Sequence, residues 1–201
     1  MPKESGGNRQ MRERIVQLAA RLVAADGIDN IALAKRKAAR QLGAPETRNL
    51  PADEEVEKAV LSYQRLYFPG GHKEHLGELR EQARGMMNLL ARFHPHLTGP
   101  VLTGSAGRYT NIEILLFADS SKQFELFLID QGIPFHGTER RIFLGGTPRN
   151  IPSYRVSTNR SDFDIMVLDP QDLRHTIRTA TARKVVERAD LDQLNALIAS
   201  G

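Results

Sequence analysis

The chain has 201 residues, enough for one domain of ordinary size or a small domain with a helical extension. Hydrophobic residues at 40% supply a core, and the absence of cysteine excludes both a disulfide framework and a Cys-based zinc site. No apolar run approaches the roughly 18 residues of a membrane span, and the opening MPKESGGNRQ lacks a signal-peptide core, so the expected compartment is the cytoplasm.

The net charge of +4 is unevenly spread: residues 1–50 hold ten Lys/Arg against five Asp/Glu, while the stretches 51–98 and 99–171 are each −1. The excess concentrates at Lys35, Arg36, Lys37 and Arg40 on one expected helix. Such a cluster suits phosphates, and RNA is the partner it suggests. The plain alternative is a solvated helix face.

Helical spacing dominates to about residue 93. Ile15, Leu18, Leu22 and Val23 form one apolar stripe that stops at Asp26-Gly27. Asp29 or Asn30 caps a second helix through Leu42, with Gly43 and Pro45 beyond it. Asp53, Glu54 and Glu55 open a third helix, where the macrodipole favours acids, and Val56, Val60, Tyr63 and Tyr67 form its stripe. Pro69-Gly70-Gly71 breaks it, and Leu76, Leu79, Ala83, Met86 and Leu90 line a fourth helix ending before His94-Pro95. The first two helices superficially resemble a DNA-reading helix-turn-helix, but a proline-bounded loop follows where a recognition helix would stand.

From Thr98 the pattern changes. Val101-Leu102 reads as an apolar strand leading into Gly104-Ser105, and Ile112 to Ala118 reads as a buried strand. Ser120 caps a helix with Phe124, Phe127 and Leu128 on its inner face, stopping at Gly132. Arg141–Leu144, Tyr154–Thr158 and Phe163–Leu168 read as further strands, and Gln171 to Ile198 as mostly helical.

Two strands begin alike. The period of two places Asn111 and Glu113 on one face, continuing as Leu115 and Phe117, and places Asp162 and Asp164 on one face, continuing as Met166 and Leu168. Neighbouring strands of this kind gather carboxylates, the oxygen ligands that Mg²⁺ takes together with substrate phosphates. Gly104-Ser105-Ala106-Gly107 adds glycines that let backbone N–H groups approach a phosphate, a hydroxyl at Ser105, and Arg108 as a phosphate contact. His72 with His75 lacks an obvious third metal ligand, and His94 with His96 reads as a connecting loop. No G-x-S-x-G, Walker A, Rossmann glycine pattern or H-E-x-x-H is present.

Taken together, residues 101–168 resemble the nucleotidyltransferase superfamily, the polymerase β-like fold. There an apolar strand ends in Gly-Ser, a following strand carries two carboxylates one residue apart, and a later strand supplies a third. The matching residues are Gly104 and Ser105, then Asn111 and Glu113, then Asp162 or Asp164. The chain as a whole resembles a proteobacterial family of about this length, through stretches such as ALAKRKAARQLGAPETRNLP and LFADSSKQFELFLIDQGIPF, which implies no established activity.

The superfamily resemblance implies transfer of a nucleotidyl group from a nucleoside triphosphate to an acceptor. Glu113, Asp162 and Asp164 would then hold Mg²⁺ as catalytic carboxylates, and Gly104, Ser105, Arg108 and Asn111 would meet the nucleotide. Two departures stand against this: Asn111 replaces the usual first Asp, and only Ala106 to Thr110 separate Gly-Ser from it. They favour a second expectation, a catalytically silent module of this fold that binds RNA or another phosphate-rich partner.

The expected architecture is α+β. A helical region (1–97) is packed on a small mixed sheet of nucleotidyltransferase-like type (98–170), followed by a helical tail (171–201).

Overall fold

The structure is a computed structural model that describes residues 4–28, 30–45, 49–67, 71–107, 109–179 and 185–200. The fold is α+β, with a curled, mixed seven-stranded sheet among the described residues. None of their helices is long and apolar enough to cross a membrane. The chain divides into two compact units, Met1–Glu74 with Ser105–Thr110, and His75–Gly104 with Asn111–Gly201.

In the first unit, α1 (Glu4–Ala24), α2 (Ile31–Gln41) and α3 (Asp53–Tyr67) enclose a core of Ile15, Ala19, Leu22, Ala34, Ala38, Val56 and Val60. Asn30 caps α2, its side-chain oxygen accepting from the Leu33 N–H at 3.0 Å. Small alanines give α2 its buried face, and charged contacts tie its neighbours together. The Arg12 guanidinium grips the Glu55 carboxylate (Nε to Oε2, 3.1 Å) and donates to Asn49 Oδ1 at 2.8 Å. The Arg12 hydrogen bond holds the Glu55 carboxyl below its ordinary range. The segment 105–110 returns to this unit. Gln64 Nε2 donates to the Ala106 carbonyl at 2.8 Å, and the Gly107 N–H donates to Thr110 Oγ1 at 2.7 Å.

The second unit is built on the sheet. Its strands are β1 (His96–Thr98), β2 (Ile112–Phe117), β3 (Phe135–Leu144), β4 (Thr147–Ser157), β5 (Asp162–Leu168), β6 (Ile177–Thr179) and β7 (Arg188–Ala189), in the order β6-β3-β4-β5-β2-β1-β7. Only β2 and β5 run parallel among the named pairs. The parallel pair requires a crossover, and the chain between them supplies α6 (Ser121–Asp130) and the β3–β4 hairpin. Ser120 caps α6 by accepting from the Lys122 N–H.

One face of this sheet carries Ile112, Ile114, Phe163, Ile165, Tyr154 and Val156, all buried. It is covered from α6, whose Phe124 meets the Tyr154 ring edge-on at 5.2 Å and the Phe93 ring at 5.6 Å. Tyr154 donates its hydroxyl to Glu125 at 2.7 Å, and burial first, then this bond, pushes its pKa up to about 12. The helix α4 (Gly71–Leu89) buries Leu79, Ala83, Met86 and Met87.

Three expectations need correction. The sheet is not small, because the tail expected to be helical contributes the edge strands β6 and β7 as well as α7 (Leu191–Ser200). These strands are two and three residues long, and partner strands rather than their own pattern make them extended. Val101-Leu102 is not a strand either. It lies in α5 (Gly99–Thr103), because Gly99 turns the chain at φ +71° and Pro100 starts a helical turn with its fixed φ. Finally, β3 and β4 extend well beyond Arg141–Leu144 and Tyr154–Thr158, since each supplies the other's hydrogen bonds over the length of the hairpin.

Candidate functional site

The other face of the sheet is divided. At one end Leu115, Phe117, Met166, Leu168, Ile142, Leu144, Ile151 and Ile177 form a second apolar cluster. At the other end the same alternation brings up polar groups. Ile112 pairs with Phe163 and Glu113 with Asp164, so the parallel register sets Glu113 and Asp164 side by side on the central strands. Neighbouring strands lie roughly 4.8 Å apart, a separation over which two carboxylates reach a common ion.

Both acids have cationic partners. Arg155, the register partner of Asp164 on β4, places Nε 3.0 Å from Oδ1 and Nη2 3.5 Å from Oδ2. Asn111 donates from Nδ2 to the second Asp164 oxygen at 3.1 Å. Arg140, on β3, brings Nη1 to 3.8 Å from Glu113 Oε1. That contact spans β4 and β5 and is made by a long side chain over a curled sheet. The carboxylates are the more enclosed partners: the Asp164 side chain is 16% exposed and that of Arg155 58%.

Glu113 also touches the chain before β2. A Cβ built on Gly99 would fall 2.9 Å from the Glu113 carboxylate. Thr98, the β1 register partner of Glu113, is buried and donates its hydroxyl to the Glu187 carbonyl at 2.7 Å. The neighbourhood of Glu113 is therefore closely built on the β1 side.

The remaining candidates are placed as follows. Asp162 sits exposed at the start of β5 opposite Ser157, on the face of Asp164 but one pleat nearer the strand end. Gly104 closes α5 in the left-handed conformation at φ +85°, and its N–H donates to the Pro100 carbonyl at 2.9 Å. Ser105 is buried in the first unit, its carbonyl 3.5 Å from Gln64 Nε2, and Arg108 lies outside the described residues. In α2, Lys35 is turned inward. Its ammonium is paired with Asp53 and donates to the Pro51 carbonyl at 2.9 Å. Arg36, Lys37 and Arg40 are exposed, and no ion pair is made by them among the described residues.

Arg140, Arg155 and Gly99 were not anticipated from the sequence. Parity alone puts Arg155 on an unknown face, and only the β4–β5 register sets it against Asp164.

Among the described residues no group of three or more His, Cys, Asp or Glu side chains is gathered to hold a metal ion. Two neighbouring carboxylates are the protein ligands that Mg²⁺ commonly takes, completed by substrate phosphates and water, and here both Asp164 oxygens are engaged by Asn111 and Arg155. No family model, curated protein or solved structure matches the chain.

Proposed function

We propose that this chain is a nucleotidyltransferase-like protein that transfers a nucleotidyl group from a nucleoside triphosphate to an acceptor, using the face of Glu113 and Asp164. The observation that carries the reading is the in-register pairing of these two acids on parallel central strands, at the polar end of a face whose other end is apolar.

In this reading Glu113 and Asp164 hold the divalent cation, and Asp162 stands beside them at the strand end. A divalent cation held by these carboxylates would supply charge neutralisation on the phosphates during in-line displacement. The acceptor oxygen attacks the α-phosphorus, the bond to the bridging oxygen breaks, pyrophosphate leaves, and a carboxylate of the site accepts the acceptor's proton. The rigid central strands fix the two acids before substrate arrives, which is how such sites limit reorganisation during the reaction. The test is thermal stability with each of the four triphosphates and Mg²⁺ or Mn²⁺, followed by an assay for labelled nucleotide transfer.

A second reading has its own support. Asn111 donates its amide to Asp164, a bond that a carboxylate at position 111 would replace with repulsion at neutral pH. A silent module binding RNA through the first unit would use Arg36, Lys37 and Arg40, whose exposure fits phosphate contacts. Lys35 is committed to Asp53 and has no part in that surface. Replacing Arg36 and Arg40 together with alanine is expected to weaken nucleic-acid binding for all sequences alike. The salt slope should fall by about one unit per lost phosphate contact. Stability should change little, since exposed charges contribute about 0–1 kcal/mol. Anisotropy titrations at two salt concentrations measure both effects, and wild-type protein without salt-dependent binding removes this reading.

A further inference from the structure

The two arginines on the sheet face suggest how the site changes when it is filled. Glu113 and Asp164 each have an arginine partner, Arg140 and Arg155. Resting on the nucleotide reading above, we infer that Arg155 and Arg140 are exchangeable counter-cations: they neutralise the carboxylates in the empty site and move to phosphate oxygens when a triphosphate enters with a divalent cation.

The asymmetry of the pairs points this way. Asp164 is held from two sides, by Asn111 at 3.1 Å and by Arg155, and its side chain is 16% exposed. Arg155 and Arg140 have side chains 58% and 45% exposed, so a new position costs them little burial. The Arg140 contact, at 3.8 Å, is longer than a hydrogen bond and holds by charge alone. In both pairs the guanidinium is the solvent-facing partner and the carboxylate the enclosed one. A guanidinium released from a carboxylate keeps its planar fork, which fits phosphate as well as it fits carboxylate. Thr138 and Ser153, register partners on β3 and β4, lie on the same face between the two arginines.

The exchange makes a definite thermodynamic statement. While Arg155 occupies Asp164, a divalent cation must compete with it, so the metal alone binds weakly. A triphosphate that draws the arginines away improves metal binding, and by reciprocity the metal improves triphosphate binding by the same factor. A purely structural salt bridge adds nothing to the coupling that direct metal–phosphate contact already gives.

The experiment uses the full chain and its Arg155→Gln, Arg140→Gln and Arg155→Lys variants. Mn²⁺ binding is measured by electron paramagnetic resonance with and without a non-hydrolysable triphosphate, and fluorescent-triphosphate binding is measured with and without Mn²⁺. In Arg155→Gln, Mn²⁺ alone should bind several-fold tighter and the triphosphate about tenfold weaker, the scale of one lost charge-assisted bond. The coupling factor should fall below its wild-type value, to what direct metal–phosphate contact supplies on its own. Arg155→Lys should keep the weak metal binding of the wild type and recover part of the triphosphate affinity. Arg140→Gln should shift both ligands in the same directions by smaller factors.

Metal and triphosphate affinities that fall together in Arg155→Gln, or that both stay at wild-type values, overturn the exchange while leaving the nucleotide reading in place. Wild-type protein that binds no triphosphate with either metal overturns both.

Discussion

Glu113→Gln is expected to abolish the rise in melting temperature that Mg²⁺ and a nucleoside triphosphate produce in the wild type. A ligand at a hundred times its dissociation constant stabilises a folded protein by about 2.7 kcal/mol. In a chain of this size each kcal/mol raises the melting temperature by roughly 2–4 °C, so the wild-type shift should be plain. Glutamine keeps the size of Glu113 and removes the charge that a hard cation requires. The unliganded protein should melt near the wild-type temperature, because the Glu113–Arg140 contact is long and partly solvated. Asp164→Asn should lose the same shift and also some stability, since Arg155 and Asn111 both lose their charged acceptor. An undiminished shift in Glu113→Gln would place the nucleotide elsewhere. A wild type indifferent to all four triphosphates, with Mg²⁺ or Mn²⁺, would leave the RNA-binding module as the better reading.

How far the sequence announced this arrangement depends on the range of the interactions that make it. Helices of the first unit were legible because their signals are local: Asn30 caps α2, acids open α3, and the α3 stripe is buried at Val56 and Val60, partly buried at Tyr63 and exposed at its last member, Tyr67. The strands β2 and β5 were legible as apolar runs, and the period of two put Glu113 and Asp164 at matching places in them. The edge strands β6 and β7 were not legible, because three- and two-residue strands have no period and take their conformation from β3 and β1. Pro148 and Pro152 hid the length of β4, which only its pairing with β3 and β5 reveals.

The same limit applies to the site. Asp164 and Arg155 are nine residues apart in sequence, and Glu113 and Arg140 twenty-seven. The first pair exists only through the β4–β5 register, and the second only through a long side chain reaching across β4 and β5. Neither is stated by a residue pattern within one strand. The strand expected before Gly104-Ser105 failed for a different reason: the residues are apolar, but Gly99 and Pro100 convert them into a helical turn.

Gly99 offers the sharpest link between backbone and site, and Gly99→Ala should affect both at once. The residue has φ +71°, where an L side chain costs about 1–2 kcal/mol. Its missing Cβ also leaves room for Glu113, whose carboxylate would stand 2.9 Å from an added methyl group. Alanine must therefore push the carboxylate aside, and that is the flexible end of the side chain, so the protein should fold. The expected result is a loss of about 1–2 kcal/mol in stability together with a weaker Mg²⁺–triphosphate shift. Gly145→Ala supplies the control. Gly145 lies at the tip of the β3–β4 hairpin at φ +56°, with nothing within 4 Å of an added Cβ. It should show a similar cost from backbone strain alone and leave the ligand-dependent shift at its wild-type size. Chemical denaturation of both variants, with and without ligand, separates the two effects. Equal ligand-dependent shifts in Gly99→Ala and Gly145→Ala would mean that the position of the Glu113 carboxylate does not matter for nucleotide binding.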